Sequence, residues 1–108
     1  MGLLSYNATT RFDIDDRTLA HIEAVIFAKL RRGEAFLFTW SRAPEEGAGR
    51  TTVWLNRASR LAFRRRWDTR IALNHDWIAR LMSAANSPGG LYAVPETTDA
   101  AASGGGAG

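Results

Sequence analysis

The sequence predicts an α+β domain: a mostly antiparallel sheet of five or six strands with two α-helices on one face, in the order β-β-α-β-β-β-α-β. Three observations lead there. Two stretches carry apolar residues at helical spacing, Leu19-Ile22-Ile26-Leu30 and Trp77-Ile78-Leu81-Met82-Ala85. Elsewhere, short runs alternate apolar and polar residues. The last residues, 96–108, hold mostly Ala, Gly, Ser and Thr, so residues 1–95 must build the whole core as one domain, and 96–108 read as a disordered tail.

The first two strands lie within residues 3–15. Leu4 and Tyr6 alternate with polar neighbours, Asn7 to Thr10 interrupts the run, and Phe12 and Ile14 resume it, as in a hairpin. Asp15 or Asp16 then caps the first helix, whose apolar stripe faces the core while Arg17, His21, Lys29 and Arg32 take the polar side. Acidic residues at its start and Lys29, Arg31 and Arg32 at its end suit the helix dipole, and Gly33 is the natural left-handed stop.

Glu34 to Ser41 reads as a strand with Phe36, Phe38 and Trp40 on one face. Residues 43–49 form a loop by composition. Thr51 to Asn56 is the next strand, with Val53 and Leu55 alternating against Thr52 and Trp54. A turn over Arg57 to Arg60 leads to a strand over Leu61 to Arg66. Asn74 caps the second helix, Asn86 to Gly90 ends it, and Leu91 to Val94 forms a last short strand closed by Pro95.

The chemistry readable from the composition is mostly exclusion. There is no cysteine, hence no disulfide and no thiolate metal site, and no cofactor is called for. Asp13, Asp15 and Asp16 cluster but lack calcium-loop spacing, and His21 and His75 have no metal-type partner at i+3 or i+4. The loop Glu46 to Thr51 lacks the first glycine and the lysine of a phosphate loop. No run is long and apolar enough to span a bilayer, and nothing near the start resembles a signal peptide, so no membrane contact and a cytoplasmic location are expected.

What remains is charge. Between Arg50 and Arg70 lie seven arginines and one acid, Asp68. Trp54 and Trp67 fall inside this stretch. Arginines that hold phosphates beside rings that stack on bases make up a single-stranded nucleic-acid surface. Arg57, Arg60, Arg64, Arg65 and Arg66, with Trp54 and Trp67, are therefore the candidate contacts. Trp40 and Trp77 are assigned to the core. The alternative is a protein-interaction or homodimerisation module that uses a strand edge or the second helix.

The residues Leu4-Ser5-Tyr6, Phe12 to Arg17, Leu19-Ala20-His21, Ala28 to Glu34, Phe36 to Trp40, Gly49-Arg50, Trp54-Leu55, Asn74, Trp77, Ala85-Asn86-Ser87 and Val94-Pro95-Glu96 carry a resemblance. Over residues 1–96 the chain resembles a family of small actinobacterial proteins of unknown function whose members often bear the name ATP-dependent DNA ligase. That name implies a lysine adenylated within a Lys-x-Asp-Gly motif. The single lysine here, Lys29, is followed by Leu30-Arg31-Arg32, and no Asp-Gly pair occurs anywhere. The resemblance therefore implies family membership, with the name either marking an accessory place beside a ligase or, the preferred reading, carried over in error. No catalytic residue follows from it.

Overall fold

The structure is a computed structural model that describes residues 2–42, 47, 49–65 and 70–97. It opens with two antiparallel strands, β1 (Gly2–Tyr6) and β2 (Thr10–Ile14), in register from Gly2↔Ile14 to Tyr6↔Thr10. Thr9 N–H donates to Tyr6 O at 3.1 Å and closes the turn between them. Asn7 and Ala8, at its centre, both have positive φ, 50° and 62°. Positive φ at both central positions is what a type I′ turn requires. Asn tolerates this left-handed region, whereas Ala8 is strained there.

Helix α1 (Asp16–Arg31) starts where Asp15 accepts a bond from Thr18 N–H. Leu19, Ile22 and Ile26 are fully buried, as their spacing predicts. Each contributes about 1.5–3 kcal/mol through loss of apolar surface from water. Gly33, at φ 77°, ends the helical segment. His21 and Lys29 depart from the expected polar face, because both are buried. A buried polar group needs partners, and both find at least one of them beyond α1, as described below.

Strands β3 (Phe36–Arg42) and β4 (Gly49–Leu55) pair antiparallel from Phe36↔Leu55 to Arg42↔Gly49. Their expected connecting loop lies almost wholly outside the described residues. Phe36, Phe38 and Leu55 are buried on the inner face. Trp40 is only half-buried and stacks on Phe38. The outer face carries Leu37 opposite Trp54 and Thr39 hydrogen-bonded to Thr52 at 2.8 Å. Strand β5 (Leu61–Arg64) returns to pair with β1. It stops at Arg64 rather than Arg66; Arg66 and Trp67 lie outside the described residues.

The strands divide between two sheets, β2-β1-β5 and β3-β4, instead of the expected single sheet of five or six. Helix α2 (His75–Ala85), capped by Asn74 Oδ1 on Trp77 N–H, buries Trp77, Leu81 and Ala85. It packs on α1 and reaches β3, while α1 packs on β1. One core is thereby shared by both sheets.

The expected final strand, Leu91 to Val94, shrinks to one parallel bridge from Leu91 to Phe38. Leu91 exchanges bonds with Leu37 O and Thr39 N–H; beyond it Val94 N–H turns back onto Tyr92 O at 2.8 Å. Val94 O is taken by the Trp77 indole N–H at 2.6 Å. The tight turn centred on Ala93 bends the chain out of the ladder with β3.

Candidate nucleic-acid interface

Among the described residues, the predicted contacts are spread over several segments. Arg64 pairs across from Leu3 on the outer face of the three-stranded sheet. Arg65, the next residue, reaches Glu23 of α1 at 4.0 Å, a weak surface ion pair. Arg60 sits at the near end of β5, about 13 Å along the strand from Arg64 at about 3.3 Å per residue.

The structure instead gathers part of that set with residues from elsewhere. Asn7 and Arg60 exchange two bonds, Asn7 N–H to Arg60 O at 2.7 Å and Arg60 N–H to Asn7 Oδ1 at 2.8 Å. This holds the turn before β5 against the hairpin of β1 and β2. Within that turn, Asn56 Oδ1 accepts from Ala58 N–H at 2.8 Å and fixes the backbone around Arg57. The Arg57 guanidinium then lies against Gly33, with its Nη1 3.4 Å from where a Cβ would stand. Gly33 follows directly on Arg31 and Arg32. Arg57 is thus set beside the C-terminus of α1, with exposed Arg31 and Arg32 just before Gly33 in the chain and exposed Arg60 at the end of Arg57's own turn. None of the four is ion-paired among the described residues.

Trp54 belongs to the same end. It is 51% exposed, and its backbone carbonyl accepts from the Tyr6 hydroxyl at 3.1 Å. Beside it runs a groove of about 370 Å³ lined by Glu34, Leu37, Asn86, Ser87 and Pro88, with Lys29 within it. Lys29 is 4% exposed. Its ammonium donates to Glu34 Oε1 at 3.0 Å and to Asn86 Oδ1, and sits 5.3 Å from the centre of the Phe36 ring. The one lysine therefore ties the ends of α1 and α2 together.

At the other end of α1 a second polar cluster forms. His21 lies under Trp77, their ring centres 4.4 Å apart. Its Nδ1–H donates to Arg17 O at 2.7 Å, and its Nε2 accepts from Asn74 N–H at 2.8 Å, an arrangement that assigns the neutral tautomer. Arg17 grips Glu96 with two bonds, 2.8 and 2.6 Å, and Asn74 Nδ2 adds a third at 2.9 Å. These bonds, Arg17 first, hold the Glu96 carboxyl down at about 2, and the same pairing raises Arg17. Arg80 binds Pro95 O and Thr97 Oγ1. The chain is thus held past Pro95, where the composition turns tail-like.

The remaining sequence candidates stay apart. His75 is exposed at the first residue of α2, Asp15 is spent on capping, and Asp13 lies on the outer face of β2. Among the described residues no group of three His, Cys, Asp or Glu could hold a metal ion. None of their helices is long and apolar enough to cross a membrane. Sequence reasoning missed Arg31 and Arg32 because their position at a helix C-terminus already accounts for them. The available signal was Gly33 beside them, which leaves room for a second chain segment.

A family model described as a domain of unknown function (DUF7882) matches residues 1–96. No curated protein and no solved structure matches the chain. The chain belongs to the DUF7882 family.

Proposed function

We propose that this DUF7882 member is a non-catalytic binding domain whose basic end takes a flexible polyanion, single-stranded nucleic acid. The observation that supports this reading is Arg57 resting on Gly33. It joins two arginine pairs distant in sequence into one exposed set without carboxylate partners among the described residues. Bidentate guanidinium groups suit phosphates, and an exposed indole beside them suits an unstacked base. Arg64, on the outer face of the three-stranded sheet, lies further along a path leading away from this end; Arg65, Arg66 and Trp67 are additional candidates. A ligase activity has no support in the residues: Lys29 is buried and bound by Glu34 and Asn86, with no Asp-Gly after it.

Titration of labelled single- and double-stranded DNA at low salt tests the reading. The expected result is preferential binding of the single strand, weakening steeply as salt rises. Combining Arg31→Glu with Arg57→Glu should lower affinity and flatten the salt slope by roughly 2. No binding at tens of micromolar protein would end the proposal.

A second reading rests on β4, which has no strand on its outer side among the described residues and is exposed over Gly49–Thr52. Such an edge invites a second copy of the chain by strand addition. Light scattering decides it: a mass that stays monomeric at all concentrations removes this alternative.

A further inference from the structure

Trp54 is out of place for a purely structural residue. It stands on the outer face of a two-stranded sheet, across from half-buried Leu37, with half of its surface in water. The core is built on the opposite face by Phe36, Phe38 and Leu55. The groove at its side has mixed walls: Leu37 and Pro88 are apolar, and Glu34 and Asn86 are polar. Its volume of about 370 Å³ falls within the size range of small-ligand sites. The polar wall is anchored from inside, because buried Lys29 bonds Glu34 Oε1 and Asn86 Oδ1. Glu34 Oε2 accepts no hydrogen bond among the described residues. The groove thus offers a stacking surface and an oriented acceptor, a few residues from cationic Arg31, Arg32 and Arg57.

We infer that this groove receives one unstacked nucleobase of a bound single strand, resting on Trp54 with its hydrogen-bond donors toward Glu34. This rests on the polyanion reading above and adds base recognition to it. The charge pattern suits that orientation: phosphates face the arginines, and the Glu34 carboxylate faces a base edge. A carboxylate is an acceptor only. It favours guanine, which presents adjacent N1–H and N2–H donors, over thymine, which presents one N–H between two carbonyls.

Three labelled oligothymidylates test this at one salt concentration: one unmodified, one with a single central dG, one with an abasic residue there. The expected order of affinity is dG above thymidine above abasic, with about tenfold between first and last, the scale of one stacked base. Trp54→Ala should collapse the difference between base and abasic strands, and Glu34→Gln should remove the dG preference while keeping an acceptor for Lys29. Equal binding of all three strands overturns the base site and leaves the arginine contacts standing. No binding of any strand overturns both.

Discussion

The two ends of α1 handle charge in opposite ways. At the N-terminal end, Arg17, His21, Asn74 and Glu96 satisfy one another and pin the C-terminal segment onto both helices. At the C-terminal end, Arg31, Arg32, Arg57 and Arg60 are brought together without a carboxylate for any of them among the described residues. A cluster whose donors and acceptors are matched stabilises the fold. One that presents donors alone to water adds little to folding and has its bonding capacity left for a partner. The contrast separates residues of identical type, since Arg17 and Arg57 are indistinguishable by composition.

Perturbing the C-terminal segment should therefore cost stability, and perturbing the basic end should not. The largest effect is expected at Gly90, where φ is 84° and a Cβ would stand 2.5 Å from Leu37 O. Gly90→Ala combines an unfavourable backbone region with a clash against β3, and should destabilise by about 3 kcal/mol in denaturant unfolding. The Arg57→Glu variant used for binding should change stability by less than about 0.5 kcal/mol. Equal losses from the two would place Arg57 among the contacts that hold the fold, rather than among those left for a partner.

A smaller effect sharpens the comparison through pH. Glu96 has its folded pKa lowered to about 2 from 4.5. Its ionised form is thus favoured by folding, so the stabilisation is fully present above 4.5 and is lost as pH falls through about 2. Thermal unfolding of Glu96→Gln should begin below wild type at pH 6, and the gap should close on acidification. A gap constant from pH 6 to pH 2 would remove the Arg17–Glu96 pair as its cause. A modest effect of opposite sign is expected at the turn beside Arg60. Ala8→Gly relieves a left-handed alanine and should raise stability by about 0.5–1 kcal/mol, without altering affinity for nucleic acid.

Local features were legible in the sequence because their causes are local. The Asp15 and Asn74 caps, the Gly33 stop and the buried stripe of α1 each depend on residues within a turn or two. His21 and Lys29 were assigned to the wrong side of α1 because their burial depends on Asn74 and Asn86, more than fifty residues downstream. The division into two sheets was hidden for a related reason. Alternation identifies a strand and its inner face but not its neighbour, and β5 chose β1 over β4. The last strand ended at the Leu91 bridge, because the chain turns back at once through the bond from Val94 N–H to Tyr92 O. At the candidate interface, Arg57, Arg60 and Trp54 were legible as types in a basic stretch. Their union with Arg31 and Arg32 needed the contact at Gly33.

Lys29 has a consequence for handling the protein. Amine-directed acylation, reductive methylation and lysine-specific proteolysis all require a side chain that can leave its pocket. The only lysine side chain here is enclosed between two helix ends, so modification at position 29 runs at the pace of opening. Its time course at position 29 would report how often the domain breathes, because the arginine side chains are untouched by those reagents.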